Sequence, residues 1–144
     1  MKILVACRAI DNMAGGVERM SSALMNEMVA RGHEVDLFTW DQKDATSFYA
    51  HDPKIKWTKL DMGNPFEKAP LSTKFKRFPK IRKAVKEFSP DIIIGFQQAP
   101  FISMKIATQG LNIPIIAAER NSPLRLDHMS SGKYRHIIFN SFRL

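Results

Sequence analysis

Hydrophobic positions change their spacing along the chain in a way that predicts strands alternating with helices. Residues 2–7 contain an apolar run of five residues after Lys2, which predicts a buried strand. From Val17 to Val29 apolar residues recur every three or four positions, the spacing of an amphipathic helix, and Gly32 supplies its stop. Residues 34–40 predict a second strand. The first forty residues therefore form a strand–helix–strand crossover.

The same alternation continues to residue 118. Residues 55–60 alternate apolar and polar and predict a half-exposed edge strand, while residues 72–88 have a helical period. Pro79 lies inside that helix and predicts a kink or two shorter helices. Two later runs, 91–96 and 113–118, are apolar without alternation, which is typical of strands covered on both faces of a parallel sheet. The remaining predictions are loops over 41–53, 61–70 and 122–132, a helix over 100–111 and a helix from residue 133.

Strands that alternate with helices predict an α/β fold with a Rossmann-like parallel sheet and helices on both faces. At 144 residues, with 44% hydrophobic and 25% charged residues, the chain is one globular domain. No apolar run reaches the roughly 18–20 residues that span a bilayer. The single cysteine, Cys7, excludes an internal disulfide and indicates a cytoplasmic protein.

Gly15 and Gly16 follow the first strand and open the first helix. Glycines there let a ligand approach the backbone, and the free N–H groups and helix dipole favour an anion. The dinucleotide fingerprint G-x-G-x-x-G and the P-loop are both absent. The two glycines alone are therefore equally compatible with a phosphate-binding turn and with an ordinary loop entering a helix.

Four blocks together resemble family 4 (group 1) retaining glycosyltransferases. They are the Gly-Gly-x-Glu-Arg turn, the Arg-Gly-His-Glu-Val helix end, the Pro-Asp-hydrophobic strand and a later strand with its turn, at residues 15–19, 31–35, 90–94 and 113–123. The resemblance covers nearly the whole chain, least clearly residues 41–88. It implies the GT-B fold, in which two Rossmann-like domains face each other across a cleft.

The resemblance also implies the division of labour. Residues 1–144 correspond to the single acceptor-side domain, and the donor-binding domain, with two glutamates eight positions apart, is expected beyond Leu144. The full-length enzyme would move a sugar from a nucleoside diphosphate sugar to a polysaccharide, lipopolysaccharide or other bacterial cell-envelope glycoconjugate, with retention. The fragment alone is expected to be inactive. No metal or other cofactor is implied.

Site residues follow from the matched motifs. Gly15 and Gly16 correspond to the turn that faces the donor diphosphate, with Glu18 beside them; ordinary first-turn chemistry explains Glu18 equally well. Glu119 and Arg120 follow a strand at the ligand-binding edge and are the expected catalytic pair. Many relatives have His where this chain has Arg120, so that residue is expected to hold a charged group instead. The expected acceptor-binding residues are Gln97, Gln98 and Asn121, which polar-loop chemistry explains as well.

Seven basic residues crowd residues 74–86 around Phe75, Phe78 and Ile81, within a formal net charge of +8. A basic amphipathic helix suits an anionic membrane, which would place the protein peripherally at the inner face. A solvated helix with its phenylalanines in the core explains the pattern equally. No nucleic-acid-binding module is recognisable. The main rival to the transferase is a stand-alone Rossmann-like module that binds an anionic ligand or membrane without catalysis; the missing fingerprint disfavours an oxidoreductase.

Overall fold

The computed structural model of the chain describes residues 1–67 and 70–119, without the side chains of Leu71 and Lys74. The described part contains five strands and three helices. Their bounds are β1 (Lys2–Ala6), α1 (Gly16–Ala30), β2 (Glu34–Thr39), β3 (Lys56–Lys59), α2 (Leu71–Phe88), β4 (Ile92–Phe96), α3 (Gln98–Ala107) and β5 (Ile115–Ala118).

The five strands form one parallel sheet in the order β3-β2-β1-β4-β5. β1 is central, and its Leu4 pairs in register with Asp36 of β2 and Ile93 of β4. Strand order runs outward in one direction from β1 to β3 and in the other from β4 to β5. This arrangement confirms the predicted Rossmann-like α/β fold and puts its topological switch point between β1 and β4.

Alternate residues of β1 build two hydrophobic cores, one on each face of the sheet. Ile3 and Val5 pack on the side of α1, where Met25 is fully buried. Leu4 and Ala6 pack on the side of α2 and α3. Because successive strand side chains point to opposite faces, a strand covered on both faces needs consecutive apolar residues, which Ile3 to Ala6 supply. The predicted helices on both faces are confirmed by these two cores.

Gly32 ends α1 at its C-terminus. Gly32 takes the left-handed conformation, with φ of +83°, and its N–H donates to the carbonyl of Val29. The N–H of His33 donates to the carbonyl of Met28, which completes a common helix-ending turn. The predicted glycine stop is therefore confirmed.

α2 is one continuous helix with Pro79 inside it, so the alternative of two shorter helices is wrong. Pro79 lies on an exposed side of the helix, where water can reach the carbonyl of residue 75 that loses its partner. No helix within residues 1–67 and 70–119 is long and apolar enough to cross a membrane.

Two predictions for the later part of the chain need correction. β5 is not covered on both faces: among the described strands it is an edge strand, and Ile116 is 49% exposed. α3 begins at Gln98 and ends at Ala107, earlier than predicted at both ends. The edge strand predicted over residues 55–60 is confirmed as β3. The loop predicted over 122–132 and the helix predicted from residue 133 lie outside the described residues.

Gly95 fixes the approach of α3 to the sheet. A Cβ at this position would lie 2.8 Å from Cα of Phe101 and 3.0 Å from its backbone nitrogen. Both atoms belong to the helix backbone, which cannot turn aside as a side chain could. The absence of a side chain on β4 at residue 95 therefore lets the first turn of α3 pack directly against the sheet.

We expect Gly95→Ala to lower the free energy of unfolding by about 1–3 kcal/mol, because the helix must shift to admit one methyl group. Gly16→Ala is the matched control, since a Cβ there meets nothing within 4 Å. Urea denaturation of both variants measures the difference. Equal stability of the two variants would show that α3 has room to move.

Candidate functional site

The two helix N-termini nearest the switch point lie at the same edge of the sheet. α1 begins at Gly16, in the connection that follows β1, and α3 begins at Gln98, directly after β4. Because β1 and β4 are parallel neighbours, both connections leave from the carboxyl edge. Ligands of open α/β sheets bind in the crevice outside this edge, and helix N-termini favour anions there. This edge is the candidate site.

Gly16 is exposed and a Cβ there would meet open space. At Gly15, by contrast, a Cβ would collide with the carboxylate of Glu18. Glu18 is only 8% exposed and lies in the first turn of α1, so its carboxylate is folded against the turn rather than extended into the crevice. A side chain at Gly15 would therefore have to displace the Glu18 carboxylate, whereas one at Gly16 would displace nothing. Direct binding of the donor by these three residues stays a prediction.

Cys7 lies beneath this turn as an inert core residue. Burial raises the pKa of the Cys7 thiol to about 12, with smaller upward contributions from the charges of Glu18 and Asp41 and a partial offset from a hydrogen bond to Ser21. A thiol with so high a pKa is not a nucleophile at neutral pH.

Asp41, which follows β2, hydrogen-bonds to the loop between β1 and α1. Its carboxylate is 1% exposed and accepts the backbone N–H of Ile10 at 3.0 Å, while the Oδ1 atom has no hydrogen-bond partner. Burial raises the pKa of Asp41 above its ordinary value, against the lowering effect of the hydrogen bond from Ile10. A buried carboxylate that accepts a loop N–H holds that loop in one conformation.

The connection between β2 and β3 also hydrogen-bonds to the loop between β1 and α1. The N–H of Asn12 donates to the carbonyl of Thr46 at 2.9 Å, and the N–H of Thr46 donates to Oδ1 of Asp11 at 2.9 Å. Asp11 and Ser47 also form an antiparallel bridge. These contacts join the loop before Gly15 to the β2–β3 connection. The position of the loop before Gly15 therefore does not depend on α1 alone.

His51 anchors the β2–β3 connection to α1. Its Nε2 atom is hydrogen-bonded to Oγ of Ser22 at 2.9 Å. Asn26, one turn further along α1, donates to the carbonyl of Ala50 and accepts the N–H of Asp52. Burial lowers the pKa of His51, so the ring is neutral in this position at neutral pH.

Gln97 and Gln98 lie on the other side of the switch point. Gln97 precedes α3 with φ of 67° and ψ of 167°, a backbone conformation that only glycine adopts readily. Such a conformation costs on the order of 1–3 kcal/mol and is often found at ligand sites. Its N–H donates to the carbonyl of Ala118, which ties the strained residue to β5. Both glutamines are half-buried at the carboxyl edge, as the sequence predicts, although Gln98 is the first residue of a helix rather than part of a loop.

Glu119 follows β5 and is exposed at the same edge, separated from β1 by β4. The glycine turn and Glu119 therefore share the predicted edge. Arg120 and Asn121 lie outside the described residues. In residues 1–67 and 70–119, no group of three His, Cys, Asp or Glu side chains could hold a metal ion.

Sequence reasoning missed Asp41 as a residue that supports the site. The available signal was its position: a charged residue directly after a buried strand lies at the carboxyl edge. Its burial could not be foreseen, because that depends on the neighbouring loop closing over it.

The fold and the position of the glycine turn define a Rossmann-like domain with a helix N-terminus at the carboxyl edge of its sheet. The sequence profile of Glycosyltransferase Family 4 matches residues 14–143, and the chain belongs to that family. A curated relative from Campylobacter jejuni is 30% identical over 112 residues, which are 76% of this chain and 30% of the relative. Its name is GalNAc-alpha-(1->4)-GalNAc-alpha-(1->3)-diNAcBac-PP-undecaprenol alpha-1,4-N-acetyl-D-galactosaminyltransferase.

Solved glycosyltransferase structures share the fold at lower identity. Sucrose-phosphate synthase from Thermosynechococcus elongatus has a TM-score of 0.65 at 18% identity, covering 92% of this chain and 36% of its own. The lipopolysaccharide outer core galactosyltransferase WaaB has a TM-score of 0.64 at 20% identity, with coverage of 99% and 43%. The chain thus spans about a third of the curated relative and less than half of these structures.

The anchor at His51 gives the domain a predictable pH response. The folded state lowers the pKa of His51 below 6.5, so its stabilising contribution is complete above that value and is lost as the pH falls. We expect wild type to lose more stability than His51→Gln between about pH 7.5 and about pH 5, because glutamine cannot gain a proton. Urea denaturation at both pH values measures this. An equal loss in both proteins would contradict the assignment.

Proposed function

We propose that this chain is the acceptor-side domain of a retaining glycosyltransferase that uses a nucleoside diphosphate sugar. Membership of Glycosyltransferase Family 4 supports the reaction class. The Rossmann-like sheet and its likeness to part of larger glycosyltransferases support the domain assignment. In this proposal a second domain supplies most donor contacts, and this domain alone is inactive.

The open glycine turn is the observation that carries the proposal. Gly16 is the first residue of α1 at the switch point, and a Cβ there would meet nothing within 4 Å. Free N–H groups at a helix N-terminus favour negative charge. The diphosphate of a sugar nucleotide would approach there, and its departure as a leaving group would be stabilised without a metal ion.

The remaining site residues have roles within the same proposal. Glu119, which follows β5, and Arg120, its neighbour in the sequence, are the proposed catalytic residues. Gln97, Gln98 and Asn121 are the proposed acceptor-binding residues, because amide side chains can both donate to and accept from sugar hydroxyls. The strained backbone of Gln97 supports its assignment to a ligand site.

The proposed acceptor is a bacterial cell-envelope glycoconjugate. The Campylobacter relative is named for an undecaprenyl diphosphate-linked glycan, and WaaB for the lipopolysaccharide outer core. Such acceptors are held at a membrane, which favours a protein that works in the cytoplasm at the inner face of that membrane.

A basic face on α2 offers a way to reach that membrane. It consists of Lys76, Lys80, Lys83 and Lys86, which are all exposed and fall on one side of the helix. Phe75, 69% exposed, borders this face rather than entering the core. An exposed aromatic ring beside several lysines suits the boundary between anionic headgroups and acyl chains. The alternative function, a stand-alone anion- or membrane-binding module, rests on this same face.

Gly16→Val tests the donor contact in the full-length enzyme. We expect transfer to fall at least about 100-fold, because two methyl groups would occupy the space through which the diphosphate approaches the backbone. Ala23→Val, at an exposed position of the same helix, is the control. Product formation is measured alongside circular dichroism. Wild-type turnover in a folded Gly16→Val enzyme would contradict the proposed site.

Vesicle binding tests the basic face. Replacing Lys76, Lys80 and Lys86 with Gln should weaken binding to phosphatidylglycerol vesicles about 100-fold, at roughly 1 kcal/mol for each lysine. Replacing the exposed Lys43, Lys54 and Lys105 instead removes the same charge elsewhere and should have a small effect. Sedimentation with vesicles at low and high salt measures both, since screening weakens surface electrostatics. Equal effects of the two triple variants would indicate a merely solvated face.

A further inference from the structure

Two arginines that the site described above does not use converge at the carboxyl edge, beside the ends of β1 and β2. Arg8 lies in the loop after β1, and its Nε atom donates to the carbonyl of Pro65 at 2.9 Å. Arg77 lies in the first half of α2, and its Nη2 atom donates to the carbonyl of Met62 at 3.1 Å. The loop that follows β3 therefore orients both guanidinium groups.

Arg8 and Arg77 are two positive charges that the same loop holds. Burial and then the neighbouring charge of Arg8 lower the pKa of Arg77. In the described part of the chain, each ion pair joins other residues, and neither arginine belongs to one. Because neighbouring like charges repel each other, a bound anion would stabilise both arginines.

Arg77 is held rigidly while Arg8 faces solvent. The Arg77 guanidinium lies 5.3 Å from the ring centre of Trp40, and the residue is only 9% exposed. Its Nε atom is buried without a hydrogen-bond partner, although a buried charged donor is costly unless it is satisfied. A structural role in holding Met62 would use one donor and needs no second arginine. Arg8 is exposed, so a ligand from solvent can reach its guanidinium group.

We propose that Arg8 and Arg77 bind a phosphate or diphosphate group carried by the acceptor. Guanidinium groups match the oxygen geometry of phosphate, and an anion between them would relieve their repulsion. The pair lies at the edge where ligands of this fold bind, on the β1–β2 side of the glycine turn. The acceptor part of this inference rests on the proposed transferase function, whereas the anion site does not.

Inorganic pyrophosphate is the first probe. Its titration, followed by the NMR signals of the Arg8 and Arg77 side chains, should move these two before those of other arginines. We expect Arg8→Gln to weaken binding about tenfold, the loss of one charge-assisted contact. Arg31→Gln removes the same charge from an exposed residue at the far end of α1 and should leave binding within about twofold of wild type. Equal weakening by the two variants would overturn the anion site.

Arg77→Lys tests the buried partner, because it keeps the charge but loses the planar donor array. It should weaken pyrophosphate binding while urea denaturation shows the domain still folded. If that variant does not fold, Arg8→Gln alone decides the question, since Arg8 is exposed and its replacement leaves the core intact. Unchanged pyrophosphate binding in folded Arg77→Lys would limit the site to Arg8 and overturn the pair.

Two further measurements separate the source of the phosphate. Arg8→Gln should weaken binding of farnesyl diphosphate but not of phosphatidylglycerol vesicles; the reverse result would overturn the assignment to the acceptor. In the full-length enzyme the same variant should raise KM for the acceptor and leave KM for the donor unchanged. A rise confined to the donor would overturn the acceptor role. If wild type has no turnover, the proposed function and the acceptor role both fail, while Arg8-dependent pyrophosphate binding would still establish the anion site.

Discussion

Burial of β1 on both faces and along both edges is the constraint on which the rest of this domain depends. The strand is hydrogen-bonded to β2 and β4 and packed between α1 and the pair α2 and α3. Parallel pairing to neighbours on both sides brings the connections after β1, β2 and β4 to one edge. The position of that edge is thus a consequence of how β1, with its four consecutive apolar residues, is covered.

Each of those connections must leave the sheet and still present ordered polar groups. Two devices achieve this after β1. The buried carboxylate of Asp41 accepts the N–H of Ile10 in this loop, and Thr46 of the β2–β3 connection hydrogen-bonds to the same loop. Glu18 then folds against Gly15. The backbone at Gly16 therefore follows a loop that hydrogen bonds hold in one conformation. Preorganised donors bind a ligand better than mobile ones, because they need no ordering when the ligand binds.

Local pattern predicts most of the sheet, because periodicity and glycine stops are properties of neighbouring residues. The bounds of β1, α1, β2 and β4 differ from the prediction by one residue or less. The exposure of β5 could not be predicted from the sequence, because a short apolar run has the same pattern in a central strand and in an edge strand. Arg77 was hidden among other basic residues for a similar reason: its burial is created by Trp40 and the loop after β3, which are far from it in sequence.

The basic residues of α2 lie in three different environments that the sequence alone does not distinguish. Lysines 76, 80, 83 and 86 are exposed to solvent, where each ammonium group is a point charge on a flexible stem. Arg77 instead turns inward over an indole ring, next to Arg8. Arg82, on yet another side, donates to the carbonyls of Ala107 and Gln109 and ties α2 to the end of α3. One helix thus carries exposed lysines, a buried guanidinium and an arginine that hydrogen-bonds to the end of α3. Lysine serves where contacts must be exchanged, and arginine where several donors must be held in one geometry.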